Sequence, residues 1–407
     1  MDERASETVQ LVNTLLLDAW RQRASDIHIE PDTRHNICKI RLRVDGTCYE
    51  YGQLPLETVR PFISRIKIMA NLDIAEHRLP QDGKIVISLN DNEKTAEYRV
   101  AIVPTIDEQE DVVLRLLSSA RTFTLDQLGL SASNLFTFSA MLNRPHGLIL
   151  VVGPTGSGKT TTLHSGLRTI NTPARKIWTV EDPVEITQTG LRQVQTNSKI
   201  GLNFPAALRA FLRADPDVIM VGEMRDRETT HIAIEASLTG HLVLSTLHTG
   251  SAAETIIRLL DMGIDPFNFA DSLICILAQR LIKTLCQHCR AAYTPDEAEL
   301  HELAEEFGET FFTVAREQSL MPFQLYKAVG CSKCIQGYSG RTGIHELLTN
   351  TTELKKIIKG RPSTDEIQTS IQQRGLLTMK QDGILKVLQG KTDLAQVHKI
   401  TGQTFPV

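Results

Sequence analysis

Eight consecutive residues near the middle of the chain have the pattern of a phosphate-binding loop. Residues 153–160 read Gly-Pro-Thr-Gly-Ser-Gly-Lys-Thr and match G-x-x-x-x-G-K-[ST] at every fixed position. An apolar run (148–152) precedes them and a helix-compatible segment (161–170) follows. Glycines let successive backbone N–H groups point at phosphate oxygens, and the helix N-terminus adds partial positive charge. Lys159 is therefore predicted to bridge the β- and γ-phosphates, and the Thr160 hydroxyl to ligate Mg²⁺.

Acidic residues follow two other apolar runs. Glu181 and Glu185 belong to the sequence Glu-Asp-Pro-Val-Glu after residues 177–180, and Glu223 comes soon after residues 218–221. Hydrolysis of a bound nucleotide needs a carboxylate beside Mg²⁺ and a group that positions water. In a parallel sheet the carboxyl ends of the strands lie at one edge, next to the phosphate loop. The pattern therefore favours functional carboxylates at both places over loop carboxylates that only face solvent.

A histidine ends a further strand-like run. His248 follows residues 241–246 in the sequence Ser-Thr-Leu-His-Thr, which places it where a side chain can sense a γ-phosphate. A lone histidine is more often structural, but the position of His248 at the end of the run leaves both roles open. His241, at the start of the same run, is expected farther from the phosphate loop.

Four of the seven cysteines form two Cys-x-x-Cys pairs. Cys286 and Cys289 make the first pair, and Cys331 and Cys334 follow after 41 intervening residues. Together the pairs predict a closed, tetrahedral Zn²⁺ site of structural type, with residues 290–330 as a helical excursion. A redox dithiol is the competing interpretation, and two pairs favour metal. The remaining candidates are His288 as a substitute ligand and, as packing residues, Cys38, Cys48 and Cys275.

The periodicity of apolar residues divides the chain into regions of different fold class. Residues 1–117 mix helical and strand-like patterns, which predicts an α+β domain. Between residues 131 and 283, apolar runs alternate with helical segments, as in an α/β fold with a parallel sheet and crossover helices. The remaining regions are a Ser/Thr/Gly-rich linker (118–130), a four-cysteine region (284–345) and a helical C-terminal region (346–407), in which Ser363 is a predicted N-cap.

The composition restricts the class of protein. The chain has 407 residues, a mass of 45.3 kDa, a formal net charge of −4 and a pI of about 6.3. Neither this charge nor the 5% aromatic content favours a nucleic-acid-binding surface. No run approaches the roughly 18–20 apolar residues of a bilayer span, and the acidic start Met1-Asp2-Glu3 lacks the pattern of a secretory signal. We therefore expect a cytoplasmic protein whose contact with a membrane, if it has one, comes through a partner.

Four ordered motifs of the chain resemble those of type II secretion and type IV pilus ATPases. They correspond to the Walker A, Asp box, Walker B and His box of that family, at residues 153–160, 181–185, 215–226 and 239–249. The resemblance covers nearly the whole chain through further stretches at residues 24–31, 43–46, 78–84 and 337–348. Gly250 is a departure, because many relatives have asparagine after the His-Thr of the His box.

The resemblance implies an architecture and residue roles. It implies a RecA-like P-loop NTPase core, a PAS-like N-terminal domain, a zinc-binding insert and a ring-shaped homohexamer with nucleotide sites between the two domains. Glu185 becomes the general base, Glu223 the carboxylate that supports Mg²⁺, and His248 the His box residue. Arg99 and Arg115 match arginines that reach the γ-phosphate, where a guanidinium stabilises the charge of phosphoryl transfer. The implied nucleotide-binding residues are Gly153, Pro154, Thr155, Gly156, Ser157, Gly158, Lys159, Thr160, Thr161 and Glu181.

The function that the resemblance implies is an ATP-hydrolysing motor for protein secretion or pilus extension. Its cofactors would be ATP, Mg²⁺ and Zn²⁺, and its partners the inner-membrane platform protein and associated cytoplasmic ring components. Two other classes compete: a RecA-like nucleic-acid translocase and a nucleotide-responsive scaffold without turnover. The acidic pI and low aromatic content disfavour the first, and the presence of Lys159, Glu185 and Glu223 disfavours the second.

Overall fold

The structure is a computed structural model that describes residues 3–89, 95–117 and 123–402. The chain divides into two compact units, Met1–Arg121 and Thr122–Val407. The first five residues of the expected linker, 118–122, lie outside the described residues, and a short 3-10 helix occupies Leu125–Leu128.

No helix in the described part of the chain combines the length and the apolar character that crossing a bilayer requires.

The N-terminal unit contains one antiparallel sheet and two α-helices among its described residues. In chain order the elements are α1 (Glu3–Arg21), β1 (Asp26–Asp32), β2 (Ile37–Val44), β3 (Thr47–Pro55), α2 (Val59–Met69), β4 (Gln81–Ser88), β5 (Thr95–Pro104) and β6 (Glu110–Leu117). The strand order is β3-β2-β1-β6-β5-β4. Alternate residues of β2 and β5 are buried, as expected for strands with one face on a core. Tyr98 on β5 is fully buried, and its hydroxyl donates to the Leu16 carbonyl of α1 at 2.6 Å.

The second unit is built around a mostly parallel sheet. Its first elements are α3 (Ala132–Leu142), β7 (Gly147–Val152), α4 (Lys159–Ile170), β8 (Ile177–Glu181), β9 (Arg192–Gln195), α5 (Phe204–Phe211), β10 (Val218–Val221), α6 (Arg227–Leu238), β11 (Leu242–Leu247), α7 (Ala252–Asp261) and α8 (Pro266–Ser272). All residues of β7, β10 and β11 are buried, which explains their continuous apolar runs. The four strands predicted from the apolar runs are all present, and β11 begins one residue later than predicted.

A cysteine-containing insert connects two long strands of this same sheet. The elements that follow α8 are β12 (Leu273–Leu285), β13 (Ala291–Tyr293), α9 (Glu297–Phe307), α10 (Phe311–Glu317), β14 (Leu325–Lys327) and β15 (Tyr338–Thr349). Strand β12 runs parallel to β7, and β15 pairs with β12 in antiparallel fashion, so the sheet order is β15-β12-β7-β11-β10-β8-β9. The predicted helical excursion is present as α9 and α10, together with the unpredicted pair β13 and β14.

Four helices end the described chain. They are α11 (Thr352–Lys359), α12 (Thr364–Gln373), α13 (Met379–Leu388) and α14 (Leu394–Thr401). The predicted N-cap is confirmed, because the Ser363 hydroxyl accepts from the Glu366 N–H and the Glu366 carboxylate accepts from the Ser363 N–H. Residues 346–349, which we predicted to be helical, instead belong to strand β15.

Candidate functional site

The phosphate loop joins the end of β7 to the start of α4. Gly156 and Gly158 have positive φ values of 79° and 85°, a region that residues with a Cβ rarely adopt. A Cβ at Gly158 would also lie 3.3 Å from Nε2 of Gln279. The glycines therefore let the backbone curl tightly enough for helix α4 to begin at Lys159, which directs its N-terminus into the loop.

The side chain of Lys159 is buried inside this loop. Its ammonium donates to the carbonyl oxygens of Gly153 and Pro154 at 2.8 and 3.1 Å. Burial lowers the pKa of Lys159, and the nearby carboxylate of Glu223 opposes that shift. The buried hydroxyl of Ser157 has no hydrogen-bond partner among the described residues. A loop of positive-φ glycines that holds a buried ammonium and an unpartnered buried hydroxyl fits a phosphate group.

The other predicted loop residues differ in their exposure. Pro154, Thr155 and Gly156 are exposed, whereas Thr160 and Thr161 are half-buried at the start of α4. The half-buried hydroxyl of Thr160 is the loop's candidate ligand for Mg²⁺.

A glutamine on the neighbouring strand holds the loop in place. The side-chain amide of Gln279 on β12 donates to the Ser157 carbonyl at 2.6 Å, and its oxygen accepts from the Thr162 hydroxyl at 2.8 Å. Gln279 is buried at 2% exposure. The sequence analysis missed this contact, although a glutamine within the apolar stretch before Cys286 was a usable signal.

Two predicted residues meet at the ends of β10 and β11. His248 Nε2 lies 3.3 Å from a carboxylate oxygen of Glu223, and Arg225 forms an ion pair with the other oxygen. Glu223 is mostly buried, whereas His248 and Arg225 are exposed. The structure thus brings His248 and Glu223 together, next to the strand that leads into the phosphate loop. Arg225 is a polar partner that the sequence analysis did not identify.

The two glutamates of the Asp box occupy different environments. Glu181, at the end of β8, is buried, and its carboxylate is hydrogen-bonded to His164, Thr179 and Gln193. This arrangement does not support the expected contact between Glu181 and nucleotide, because both carboxylate oxygens are turned toward these protein donors. Glu185 is exposed on the irregular loop formed by residues 182–191, where a carboxylate can meet water.

The two predicted arginines are neighbours within the N-terminal unit. Arg99 on β5 lies directly opposite Arg115 on β6 in the strand register, so both side chains are on the same face of the sheet. The Nε of Arg115 lies 2.8 Å from Oδ1 of the buried Asp26, and Arg99 lies 3.8 Å from Asp82. Both guanidinium groups are more than half exposed.

The four cysteines of the two pairs form a compact cluster. All four sulfur atoms lie within 4.8 Å of one another, and three contacts, 286–331, 289–334 and 331–334, measure 3.9, 3.7 and 3.7 Å. Sulfurs at about 2.3 Å from a tetrahedral Zn²⁺ are about 3.8 Å apart, so these separations fit the metal. They are far longer than a disulfide bond of about 2 Å. The buried thiols of Cys38 and Cys275 lie elsewhere, and burial raises the pKa of both to about 12.

The departure at Gly250 has a local explanation. The Gly250 N–H donates to the carboxylate of Glu254, and a Cβ at residue 250 would lie 2.8 Å from that carboxylate and 3.3 Å from Arg280. A larger side chain at this position would have to displace Glu254, so glycine suits this His box loop.

Comparison with known proteins identifies the family. A model of the family "Type II/IV secretion system protein" matches residues 2–399. The type IV pilus assembly ATPase PilB of Pseudomonas aeruginosa is 44% identical over 395 residues, which cover 97% of this chain and 67% of that protein. The type II secretion system ATPase E of Vibrio cholerae is 44% identical over 398 residues, which cover 97% and 76%. The chain thus spans about two thirds to three quarters of the length of these relatives.

Solved structures agree with this assignment. The pilus retraction motor PilT with bound ADP superimposes with a TM-score of 0.62 at 25% identity, covering 96% of each chain. The ATPase DotB of Legionella pneumophila has a TM-score of 0.68 at 22% identity, covering 96% of this chain and 95% of that chain, which shows a shared mixed α/β fold. The family predicted from the four motifs, and with it the class of secretion and pilus ATPases, is confirmed: this chain belongs to the Type II/IV secretion system protein family.

Proposed function

We propose that this protein is a homohexameric motor that hydrolyses ATP to drive either type II secretion or extension of a type IV pilus. The observation that carries the proposal is one edge of the parallel sheet. The phosphate loop, Glu223 and the loop bearing Glu185 follow strands β7, β10 and β8 there, and β11 with His248 lies between β7 and β10. The core would be RecA-like, and the inner-membrane platform protein and cytoplasmic ring components would be its partners, as for pilus assembly and secretion ATPases. The protein itself would be cytoplasmic and bound to the membrane only through them.

The residues of this edge divide the work of phosphoryl transfer. Lys159 exchanges its two loop carbonyls for phosphate oxygens, and the loop N–H groups hold the remaining charge. Thr160 and Glu223 would hold Mg²⁺, which when bound neutralises charge on the phosphates. Glu185 accepts a proton from the attacking water, and His248 fixes the orientation of Glu223.

Two further assignments complete the proposal. Arg99 and Arg115 present adjacent guanidinium groups and would stabilise the charge on the γ-phosphoryl group during transfer. The cluster of Cys286, Cys289 and the second cysteine pair would hold a structural Zn²⁺, whose four thiolate ligands leave no position for substrate.

The proposal is tested by phosphate release from purified protein with Mg²⁺ and ATP. Glu185→Gln should lower kcat by about a hundredfold or more, because the amide accepts no proton from water. Glu235→Gln, an exposed carboxylate on α6, is the matched control and should leave the rate unchanged. Unchanged turnover in Glu185→Gln would contradict the assignment of the base. Strong stimulation by single-stranded DNA would instead favour the nucleic-acid translocase.

A further inference from the structure

A buried histidine and a buried glutamate form a pair behind the phosphate loop. His164 is in helix α4, five residues after Lys159, and Glu181 is the last residue of β8. His164 Nε2 lies 3.0 Å from a carboxylate oxygen of Glu181, and the two side chains are 1% and 4% exposed. The pair therefore joins the helix that begins at the phosphate loop to the strand that precedes the Glu185 loop.

The direction of this hydrogen bond is set by Gln188. The side-chain amide nitrogen of Gln188 donates to the backbone carbonyl of His164 at 2.8 Å and also lies 3.0 Å from its Nδ1. A backbone carbonyl only accepts, so the NH₂ end of Gln188 faces His164 and Nδ1 is an acceptor. In the neutral imidazole the proton is then on Nε2, where it is donated to Glu181.

The second oxygen of Glu181 extends the network toward the loop. It accepts from the Thr179 hydroxyl at 2.7 Å and from the side-chain amide of Gln193 at 3.1 Å. The same amide of Gln193 donates to the Ile186 carbonyl at 2.7 Å. Ile186 is the residue after Glu185, so the buried carboxylate is two hydrogen bonds away from the backbone beside the proposed base.

The loop is fixed on its other side as well. The oxygen of Gln193 accepts from the Gln188 N–H at 2.8 Å, and Gln195 accepts from the Val184 N–H at 3.2 Å. The loop formed by residues 182–191 has no regular secondary structure of its own. These side-chain hydrogen bonds, most of which meet at His164 and Glu181, hold the Glu185 end of the loop to helix α4. The far end of the loop is held separately, by the Asn171 amide that donates to the Thr189 carbonyl at 2.8 Å and by Leu191 in the apolar cluster of α4.

We propose that His164 and Glu181 are positioning residues that hold the loop carrying Glu185 to helix α4. Helix α4 begins at the lysine that binds phosphate, so this connection sets the distance between the γ-phosphate and the water that Glu185 activates. The inference rests on the proposed function, because it assumes that Glu185 acts on water near a nucleotide held by the phosphate loop. Neither His164 nor Glu181 contacts the nucleotide in this scheme.

His164→Phe is the first test, because phenylalanine keeps most of the ring volume and removes both hydrogen bonds. We expect kcat to fall by roughly ten- to a hundredfold, as for a reacting group displaced by about 1 Å. The equilibrium dissociation constant of a fluorescent ATP analogue should change by less than about threefold, because the phosphate loop is intact. A loss of general stability alone would not separate kcat from affinity in this way.

Two further variants complete the experiment: a control at another histidine, and the replacement of the Glu181 carboxylate by an amide. His301→Phe removes an exposed histidine of helix α9, outside the four motifs of the nucleotide site, and kcat should stay unchanged. Glu181→Gln should lower kcat, because its amide sets a second donor against the Nε2–H of His164.

The outcomes separate this inference from the proposed function. If wild-type protein hydrolyses ATP, Glu185→Gln abolishes turnover and His164→Phe keeps its kcat, the positioning role is wrong and the motor assignment stands. A fall in ATP affinity that matches the fall in kcat would also overturn the inference. Unchanged kcat in Glu181→Gln would contradict the proposed direction of the hydrogen bond, because an amide at residue 181 would then satisfy His164.

Discussion

The phosphate loop and the four-cysteine cluster each gather several polar groups around a small space, and they do so in opposite ways. At the cluster, two sulfurs accept backbone N–H groups, at Cys289 from Gly330 and at Cys334 from Cys331. Four thiolates satisfy a tetrahedral metal completely. At the phosphate loop, the Lys159 ammonium is bonded to loop carbonyls that a phosphate can replace.

This difference predicts which region controls the rate of hydrolysis and which controls metal content and stability. A site whose ligands are all protein atoms stabilises the fold around it and has no position for a reacting molecule. The phosphate loop, in contrast, has contacts that a phosphate can replace, and the exposed carboxylate of Glu185 follows another strand of the same sheet. It can therefore accept a reacting molecule. We therefore expect changes at the phosphate loop to alter the rate of hydrolysis, and changes at the cysteines to alter metal content and stability.

The largest effect is expected from Lys159→Ala. Removal of the ammonium takes away a charge that is fixed beside the phosphates, and kcat for ATP hydrolysis should fall by about a hundredfold or more. The free energy of unfolding should change little by comparison, because the residual loop is still held by Gln279. Phosphate release and thermal unfolding measure the two quantities.

Lys199→Ala is the matched control for that variant. Lys199 is an exposed lysine of the same unit, and its removal should affect neither rate nor stability. If Lys159→Ala lowered the free energy of unfolding as strongly as it lowered the rate, the expected difference between the phosphate loop and the cysteine cluster would be wrong.

Cys331→Ser should give the reverse pattern. We expect bound zinc, measured by atomic emission on the purified chain, to fall from about one ion per chain to less than half. The apparent unfolding temperature should drop by about 5–10 °C, because metal binding contributes to folding. ATP hydrolysis by the folded protein should stay within about threefold of wild type.

Cys48→Ser provides the control, since Cys48 is a partly exposed cysteine of the N-terminal unit outside the cluster. It should leave zinc content unchanged. Zinc retained at full occupancy in Cys331→Ser would show that the cluster is not the metal site.

The smallest effect is expected at a helix start that belongs to neither site. Ser363→Ala removes the N-cap of α12 and should lower the free energy of unfolding by about 1 kcal/mol. Hydrolysis and zinc content should be unaffected, so this variant gives the baseline for a purely local loss of stability. A change in hydrolysis rate would mean that the C-terminal helices take part in the chemistry.

Much of the sheet edge was predictable because its strands are buried on both faces. The apolar runs that became β7, β8, β10 and β11 fix the strands directly, and the glycine pattern fixes the loop between β7 and α4. The cysteine cluster was predictable for a different reason, since the Cys-x-x-Cys spacing keeps two sulfurs on one side of a turn. In both cases the signal is local in sequence.

The missed features are those that depend on distant partners. His164 and Glu181 are 17 residues apart, and Gln279 is separated from Ser157 by 122 residues, so neither contact follows from periodicity. Strand β12 was missed because polar residues such as Gln279 and Lys283 interrupt its apolar run. Those polar positions are satisfied by the phosphate loop and by the pairing with β15, which the sequence does not reveal.

Strand β12 has a mechanical consequence for the second unit. It carries Gln279 beside the phosphate loop and ends at Leu285, immediately before Cys286. The six steps from Gln279 to Leu285 span about 20 Å of extended backbone, which pairs with β15 except for an irregularity between Lys283 and Leu285. Gln279 and the first cysteine pair thus belong to one continuous stretch of chain, so a shift of β12 at the phosphate loop would reach the cysteine cluster through this strand.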